Sequence, residues 1–233
     1  MLAEINKHIN DTRISFDEVD HYYFIDGEKA KFSVTEIIDK FFPEFDSAYW
    51  AERKAIEKLN QDTIEYDSDI LNFTIKKILD DWEKKRNDAA LKGTLLHESI
   101  EDFYNQKFHT EYPPEFEYFK NFHNKYEKLE AYRTEWRIYD DSLSIAGTVD
   151  MVYKKENNEL FIFDWKRTSK LVDQNNQLIL KDFNYGFDGL SHIADNSFNK
   201  YALQQNVYKF ILENYYDKTC LLYTSPSPRD TNE

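Results

Sequence analysis

Two aspartates and a lysine in this chain have the types and spacing to hold a cation and meet what it binds. In "ELFIFDWKRTSK" an apolar run from Leu160 to Phe163 ends in Asp164 and Lys166. A strand alternates faces with every residue, so Asp164 and Lys166 project together while Phe161, Phe163 and Trp165 project the other way. Burying a carboxylate and an ammonium is costly, and alone this stretch reads as a salt-bridged strand end at the surface. The preceding segment adds a second carboxylate. A hairpin centred on Asn157 sets Asp150 opposite Asp164 and Val152 opposite Ile162. Directly opposed residues have Cβ atoms about 4.5–5.5 Å apart, where like charges repel. Two carboxylates so placed call for a shared proton or a cation. Oxygen ligands suit magnesium or manganese better than zinc, and Lys166 would sit beside whatever the cation holds. A slip of one residue in register breaks this geometry.

Two helical pairs accompany the carboxylates. His97 and Glu101 in "HESIE" are one turn apart and share a face, as are Gln204 and Tyr208 in "QQNVY". Glu at position 101 rules out the HExxH zinc motif. Taken singly, His97 and Glu101 read as surface groups, and Gln204 with Tyr208 reads as an amphipathic boundary.

The elements that must position these residues can be read from periodicity. Strand-like runs flank the turn Asp26-Gly27, a hairpin signal. Ser33 or Thr35 caps a short helix reaching about Phe42, and a second helix covers 47–60. A long helix starts near Ser68, taken as its N-cap, and reaches about Tyr104, with Gly93 as an interruption or close-packing point. Another helix spans 115–129. The period then changes to two: "YRTEWRIYD", "LSIAGTVDMVYK" and "ELFIFDWKR" form an antiparallel meander joined by "DDS" and "ENN". Residues 171–199 read mostly as loop, 199–216 as a last helix, and "TCLLYT" as the start of a strand. The expected class is mixed α/β (α+β): an N-terminal hairpin and helical region over 1–90, packed on a core over 91–224. The breaker-rich "SPSPRDTNE" (225–233) is read as a disordered, non-native tail, excluded from fold reasoning, that leaves the natural C-terminus missing.

Composition bounds the function. The 233 residues are 41% hydrophobic and 17% aromatic, enough for a core, so disorder is not expected. With 30 Lys and Arg against 44 Asp and Glu the net charge is −14, which excludes a protein that coats nucleic acid by neutralising phosphates. A locally basic cleft is still compatible, and Lys84, Lys85, Arg86 and Lys92 supply local positive charge, or simply a solvated helix face. The single Cys220 excludes a disulfide framework, a thiolate zinc site and a cysteine-held iron–sulfur cluster. No run approaches the roughly 20 apolar residues of a membrane span and "MLAEINKHIND" has no signal-peptide core, so a soluble cytoplasmic chain with no membrane partner is expected.

Taken in order, "KGTLLHESIE", "AGTVDMVY", "FIFDWKRTS" and "YALQQNVYKFIL" carry GxxxH, GxxD, DxK and QxxxY across residues 93–212. This series resembles the PD-(D/E)XK nuclease superfamily, in particular its RecB-like exonuclease group of bacteria and phages. The resemblance implies a restriction-endonuclease-like core of helix, three-strand antiparallel meander, helix and strand. It implies a magnesium- or manganese-dependent DNA exonuclease acting in repair or recombination within a bacterial or phage-infected cell. DNA is the implied substrate, and a recombination or single-strand-binding protein the implied partner. His97, Asp150, Asp164 and the main-chain carbonyl of Trp165 would hold the metal, with Glu101 and Glu135 as further ligands. Lys166 would orient the attacking water, and Gln204, Tyr208 and Arg167 would contact the substrate or support the site. Alternatives within the superfamily are an endonuclease and a non-cutting domain that binds DNA or a partner; outside it stands an acidic interaction protein with solvated carboxylates. The chain lacks the four cysteines of the iron–sulfur branch and any GxxxxGK[ST] motif of a helicase fusion.

Overall fold

The computed structural model describes residues 1–155, 157–168, 171–175, 177–180 and 183–222. In chain order the elements are α1 (Leu2–Ile5), β1 (Ile14–Asp17), β2 (Tyr22–Ile25), β3 (Glu28–Lys29), β4 (Phe32–Ser33), α2 (Val34–Asp39), α3 (Ser47–Gln61) and α4 (Ser68–Tyr104). They continue with α5 (Phe116–Lys125), β5 (Glu130–Asp140), β6 (Ile145–Lys154), β7 (Leu160–Phe163), α6 (Ser197–Tyr215) and β8 (Cys220–Leu222). Two compact units result: Met1–Pro43 with Leu95–Glu233, and Glu44–Thr94. This differs from the expected split near residue 90. The first 43 residues cluster with the meander because β4 joins its sheet and Asp11 bonds into β5, as described below. The tail at 225–233 lies outside the described residues.

In the first unit a five-stranded sheet is built around β6. β5 pairs antiparallel along one edge of β6. The other edge is shared: β4 pairs parallel at Ile145 and Ala146, and β7 pairs antiparallel from Met151 to Lys154. β7 then pairs parallel with β8, the intervening crossover carrying α6. The β6–β7 register sets Val152 against Ile162 and Met151 against Phe163, the hairpin that the spacing requires. β7 ends at Phe163, so Asp164, Trp165 and Lys166 follow the strand rather than belong to it.

Alternation along the strands sorts their side chains onto two faces. Ile162 and Val152 join a cluster with Val34 and Ile38 of α2 and Tyr208, Ile211 and Leu212 of α6. Phe161, Phe163, Trp165, Met151 and Tyr153 join a second cluster with Leu96 and Ile100 of α4 and Phe116, Phe119 and Phe122 of α5. β6 is accordingly buried along almost its whole length. That is the expected state of a central strand covered on both faces.

Local chemistry sets the boundaries. Asp26 and Gly27 both take positive φ (51° and 83°), as a two-residue type I′ turn between β2 and β3 requires. Ser33 is the cap of α2: its hydroxyl accepts from Glu36 N–H at 3.1 Å, and the Glu36 carboxylate accepts from Ser33 N–H. α4 is capped by Asp67 rather than Ser68, since Asp67 Oδ1 accepts from the N–H groups of Asp69 and Ile70 at 3.0 Å. A carboxylate one residue upstream reaches those amides, and Ser68 becomes the first helical residue. Gly93 neither interrupts α4 nor closes a packing contact; a Cβ built there meets nothing within 4 Å. The last helix begins at Ser197, capped by Asn196.

The second unit comprises α3 and α4 up to Thr94. Its α3 buries Ala51, Ala55 and Leu59, a stripe at four-residue spacing. Among the described residues no helix is long and apolar enough to cross a membrane.

Ser33→Ala removes the reciprocal cap of α2 and is expected to cost about 1 kcal/mol. In a chain of this size that lowers the melting temperature by roughly 2–4 °C, read by calorimetry.

Candidate functional site

The shared edge of β6 creates the site. Between Ala146, the last residue paired with β4, and Met151, the first paired with β7, this edge of β6 has no strand partner among the described residues. Asp150 lies in that gap, only 9% exposed. Its Oδ2 accepts the Trp165 backbone N–H at 2.8 Å, which ties the segment after β7 to the edge that β7 has just left. Trp165 then anchors its ring among Phe119, Phe122 and Phe163. Its carbonyl meets His97 Nε2 at 2.8 Å.

His97 Nδ1 lies 3.3 Å from Glu135 Oε1 and 3.6 Å from Asp150 Oδ2. One ligand atom each from His97, Glu135 and Asp150 fall within 4.8 Å of one another, close enough for a single metal ion. The imidazole is presented by the part of α4 whose Leu96 and Ile100 pack into the second cluster. Glu135 is supplied from β5 in a left-handed conformation, φ 44°, which an L-residue with a long side chain rarely adopts. Such strain persists only where the surroundings impose it. Here Arg133 and Trp136, on either side, are both held by Asp11: Arg133 Nη1 donates to Oδ2 at 2.8 Å and Trp136 Nε1 to Oδ1 at 2.9 Å.

Lys166 Nζ stands 2.9 Å from Asp164 Oδ1 and 5.2 Å from the centre of the Tyr201 ring. The QxxxY pair of α6 reaches the same place. Gln204 Nε2 donates to Tyr208 Oη at 2.9 Å, and a Cβ built on Gly147 would come within 2.7 Å of Tyr208 Cε1. Glycine at 147 is therefore what lets the Tyr208 ring lie against β6. The GxxD and QxxxY stretches interlock through that contact.

The charges are crowded. Burial, then the neighbouring Asp150, push the Asp164 carboxyl up to about 7. Asp150 is also raised, chiefly by burial, against the pull of His97 and Lys166. Burial opposes protonation of His97, but Asp150 and Glu135 overcome it and raise its pKa to about 9. Lys166 is raised because Asp164 and Asp150 outweigh its burial. Burial and then Glu135 raise Glu101, so these two carboxylates share a field. Burial, with Asp164 and Asp150, holds the Tyr208 phenol well above its ordinary value. A protonated His97 thus occupies the point where a cation would relieve the carboxylates.

His97, Glu135, Asp150 and the Trp165 carbonyl converge. Asp164 with Lys166, and Tyr208 with Gln204, adjoin them. Arg167 is directed elsewhere: its Nε donates to Glu115 Oε1 at 2.6 Å. Of the basic residues on α4, Lys92 pairs with Asp88 and Arg86 with Glu83. Three residues were not singled out in the sequence. Tyr201 sits one turn before Gln204, a spacing that could have drawn notice. Tyr23 bonds Thr148 Oγ1 at 2.9 Å and lies in the field of Glu135 and Asp150. Arg137, two residues after Glu135, pairs in register with Thr148 and has its guanidinium over the Phe16 ring. No local pattern marks Tyr23 or Arg137, because the β1–β2 hairpin that brings them together is distant in sequence from the motifs.

Comparison with family models, with curated proteins and with solved structures returns no match for this chain.

Two outcomes are expected of this geometry. Gly147→Ala forces Tyr208 off β6 and should destabilise by about 1–3 kcal/mol, the usual cost of overpacking, in a denaturant titration. Asp164→Asn should leave the metal-free protein at least as stable as wild type at pH 8. The folded-state pKa is raised, so any stabilisation from protonated Asp164 is full below about 4 and lost as pH rises through about 7. The Asn variant should therefore gain on wild type across that window. A variant much less stable at pH 8 would make Asp164 a structural ion-pair partner.

Proposed function

We propose that this chain is a divalent-metal-dependent DNA exonuclease with a restriction-endonuclease-like core of the PD-(D/E)XK, RecB-like kind. One observation supports the reading: His97, Asp150, Asp164 with Lys166, and Tyr208 with Gln204, drawn from the four motifs, adjoin one another at the gap in the β6 edge. The helix–meander–helix–strand order from α4 to β8, with α5 inserted before β5, supports it as well.

The donor set fits a metal. It combines an imidazole with carboxylates, two of them buried and held above their ordinary pKa by burial. A cation relieves that excess negative charge. His97, Glu135, Asp150 and the Trp165 carbonyl would hold it, with Asp164 adjoining and Glu101 nearby. Magnesium or manganese bound there would acidify water and offset charge on a phosphoryl group.

The chain's own residues do the rest. Lys166, held by Asp164 and set over Tyr201, is a fixed positive charge at the site and meets the negative charge that grows on phosphate during hydrolysis. Its raised pKa keeps it protonated at neutral pH, so it acts as an electrostatic group and not as a base. Gln204 and Tyr208 brace the wall formed by α6. The hydrophobic clusters on both faces of the sheet hold these groups in place before substrate arrives.

The purified protein is expected to degrade end-labelled linear DNA in magnesium or manganese and to be silent in a chelator. Circular and single-stranded DNA in the same assay separate exonuclease from endonuclease. Lys166→Ala should abolish cutting without unfolding the protein, and activity surviving in that variant removes Lys166 from the mechanism. Magnesium at about ten times its Kd should stabilise wild type by roughly 1.4 kcal/mol, a rise of about 3–6 °C in melting temperature. A rise that persists in Asp150→Asn would place the ion elsewhere.

A further inference from the structure

The second unit sorts its side chains against the usual rule. α3 buries two alanines and a leucine, Ala51, Ala55 and Leu59, while leaving its aromatic residues outside. Tyr49 is 51% exposed and Trp50 45%, and Phe45, just before the helix, is 68% exposed. Large rings in water are a free-energy cost that a helix already packed through its small residues has no internal reason to bear. The rings are also organised. Tyr49 and Trp50 meet edge to face at 5.3 Å, and Phe45 lies 6.0 Å from Trp82 of α4. Cations stand over two of them. The Arg53 guanidinium is 5.6 Å from the Trp50 ring centre, and Lys54 Nζ is 5.9 Å from that of Trp82. Arg53 Nη1 also donates to Tyr49 Oη at 3.3 Å, which steadies the guanidinium beside the rings. The i, i+4 spacing of Tyr49 with Arg53 and of Trp50 with Lys54 makes this one strip along α3.

We propose that this strip binds single-stranded nucleic acid, with unpaired bases stacking on Trp50 and its neighbours while Arg53 and Lys54 meet the backbone phosphates. Flat π faces interleaved with cations suit a ligand that is itself alternately flat and anionic. A base in a duplex offers no free face, so the strip favours a single strand. The proposal rests on the nuclease reading for the kind of ligand, and on the second unit's own residues for where it binds.

The test is a titration of the full-length protein with a single-stranded thymidine oligonucleotide in a chelator, where hydrolysis is not expected. Intrinsic fluorescence is the readout. Trp136 and Trp165 are buried, so quenching reports on Trp50 and Trp82. Binding should quench the emission. Trp50→Ala should weaken affinity about tenfold or more, with Trp50→Phe restoring most of it. Arg53→Gln, an exposed and structurally mild change, should reduce the slope of log affinity against log salt by about 0.7. The duplex of the same sequence should compete poorly. Affinity indifferent to both Trp50→Ala and Arg53→Gln overturns the proposal, as does equal competition by duplex. Self-association that Trp50→Ala abolishes, measured by sedimentation, would instead make the strip an interface between copies. Trp50-dependent binding without magnesium-dependent cutting sinks the nuclease reading and leaves this one standing; cutting with Trp50-independent binding does the reverse.

Discussion

The Trp165 amide held by the Asp150 carboxylate is the interaction on which the site depends. β7 leaves the sheet at Phe163, and that bond ties Trp165 back to the edge of β6 through the Asp150 side chain. The bond places the Trp165 carbonyl against His97, and the alternation it preserves sends Lys166 back beside Asp164. It also uses one of Asp150's oxygens in a neutral contact, so the negative charge is left for whatever else enters the gap. Burial raises the pKa of both aspartates against the pull of His97 and Lys166.

The remainder of the first unit can be understood as support for that gap. β4 and β7 share one edge of β6 and part at the position where Asp150 stands. α6 lies across the opening because Gly147 admits the Tyr208 ring. The N-terminal residues do more than cover the sheet. Asp11 clamps Arg133 and Trp136 on either side of the strained Glu135, and Tyr23 reaches Thr148 beside it. A strained carboxylate so braced is already in position, and a ligand that uses it need not supply the energy to move it.

The second unit has a different character. Its α3 buries the stripe Ala51, Ala55 and Leu59, and two of the rings left outside it or beside it carry cations. On the proposed reading the chain divides recognition from chemistry: stacking and screening-sensitive charge in one unit, buried and screening-resistant charge in the other.

Much of the local structure was legible in the residues. Period-two alternation placed the meander, Asp26-Gly27 placed a hairpin, and Ser33 or Thr35 placed the start of α2, since each depends only on neighbours in the chain. A hairpin centred on Asn157 matches the observed pairing of Val152 with Ile162, and a one-residue slip would turn the buried side chains outward. What lay beyond the sequence was one local choice and the contacts made between distant segments. Asp67 rather than Ser68 caps α4, a choice between adjacent residues with nearly equal capping strength that the local backbone decides. The left-handed Glu135, the Asp11 clamp and the reach of Tyr23 and Arg137 toward the site arise from packing between segments more than 100 residues apart. Such pairings cost chain entropy that only the assembled core offsets, so no short stretch can encode them by itself.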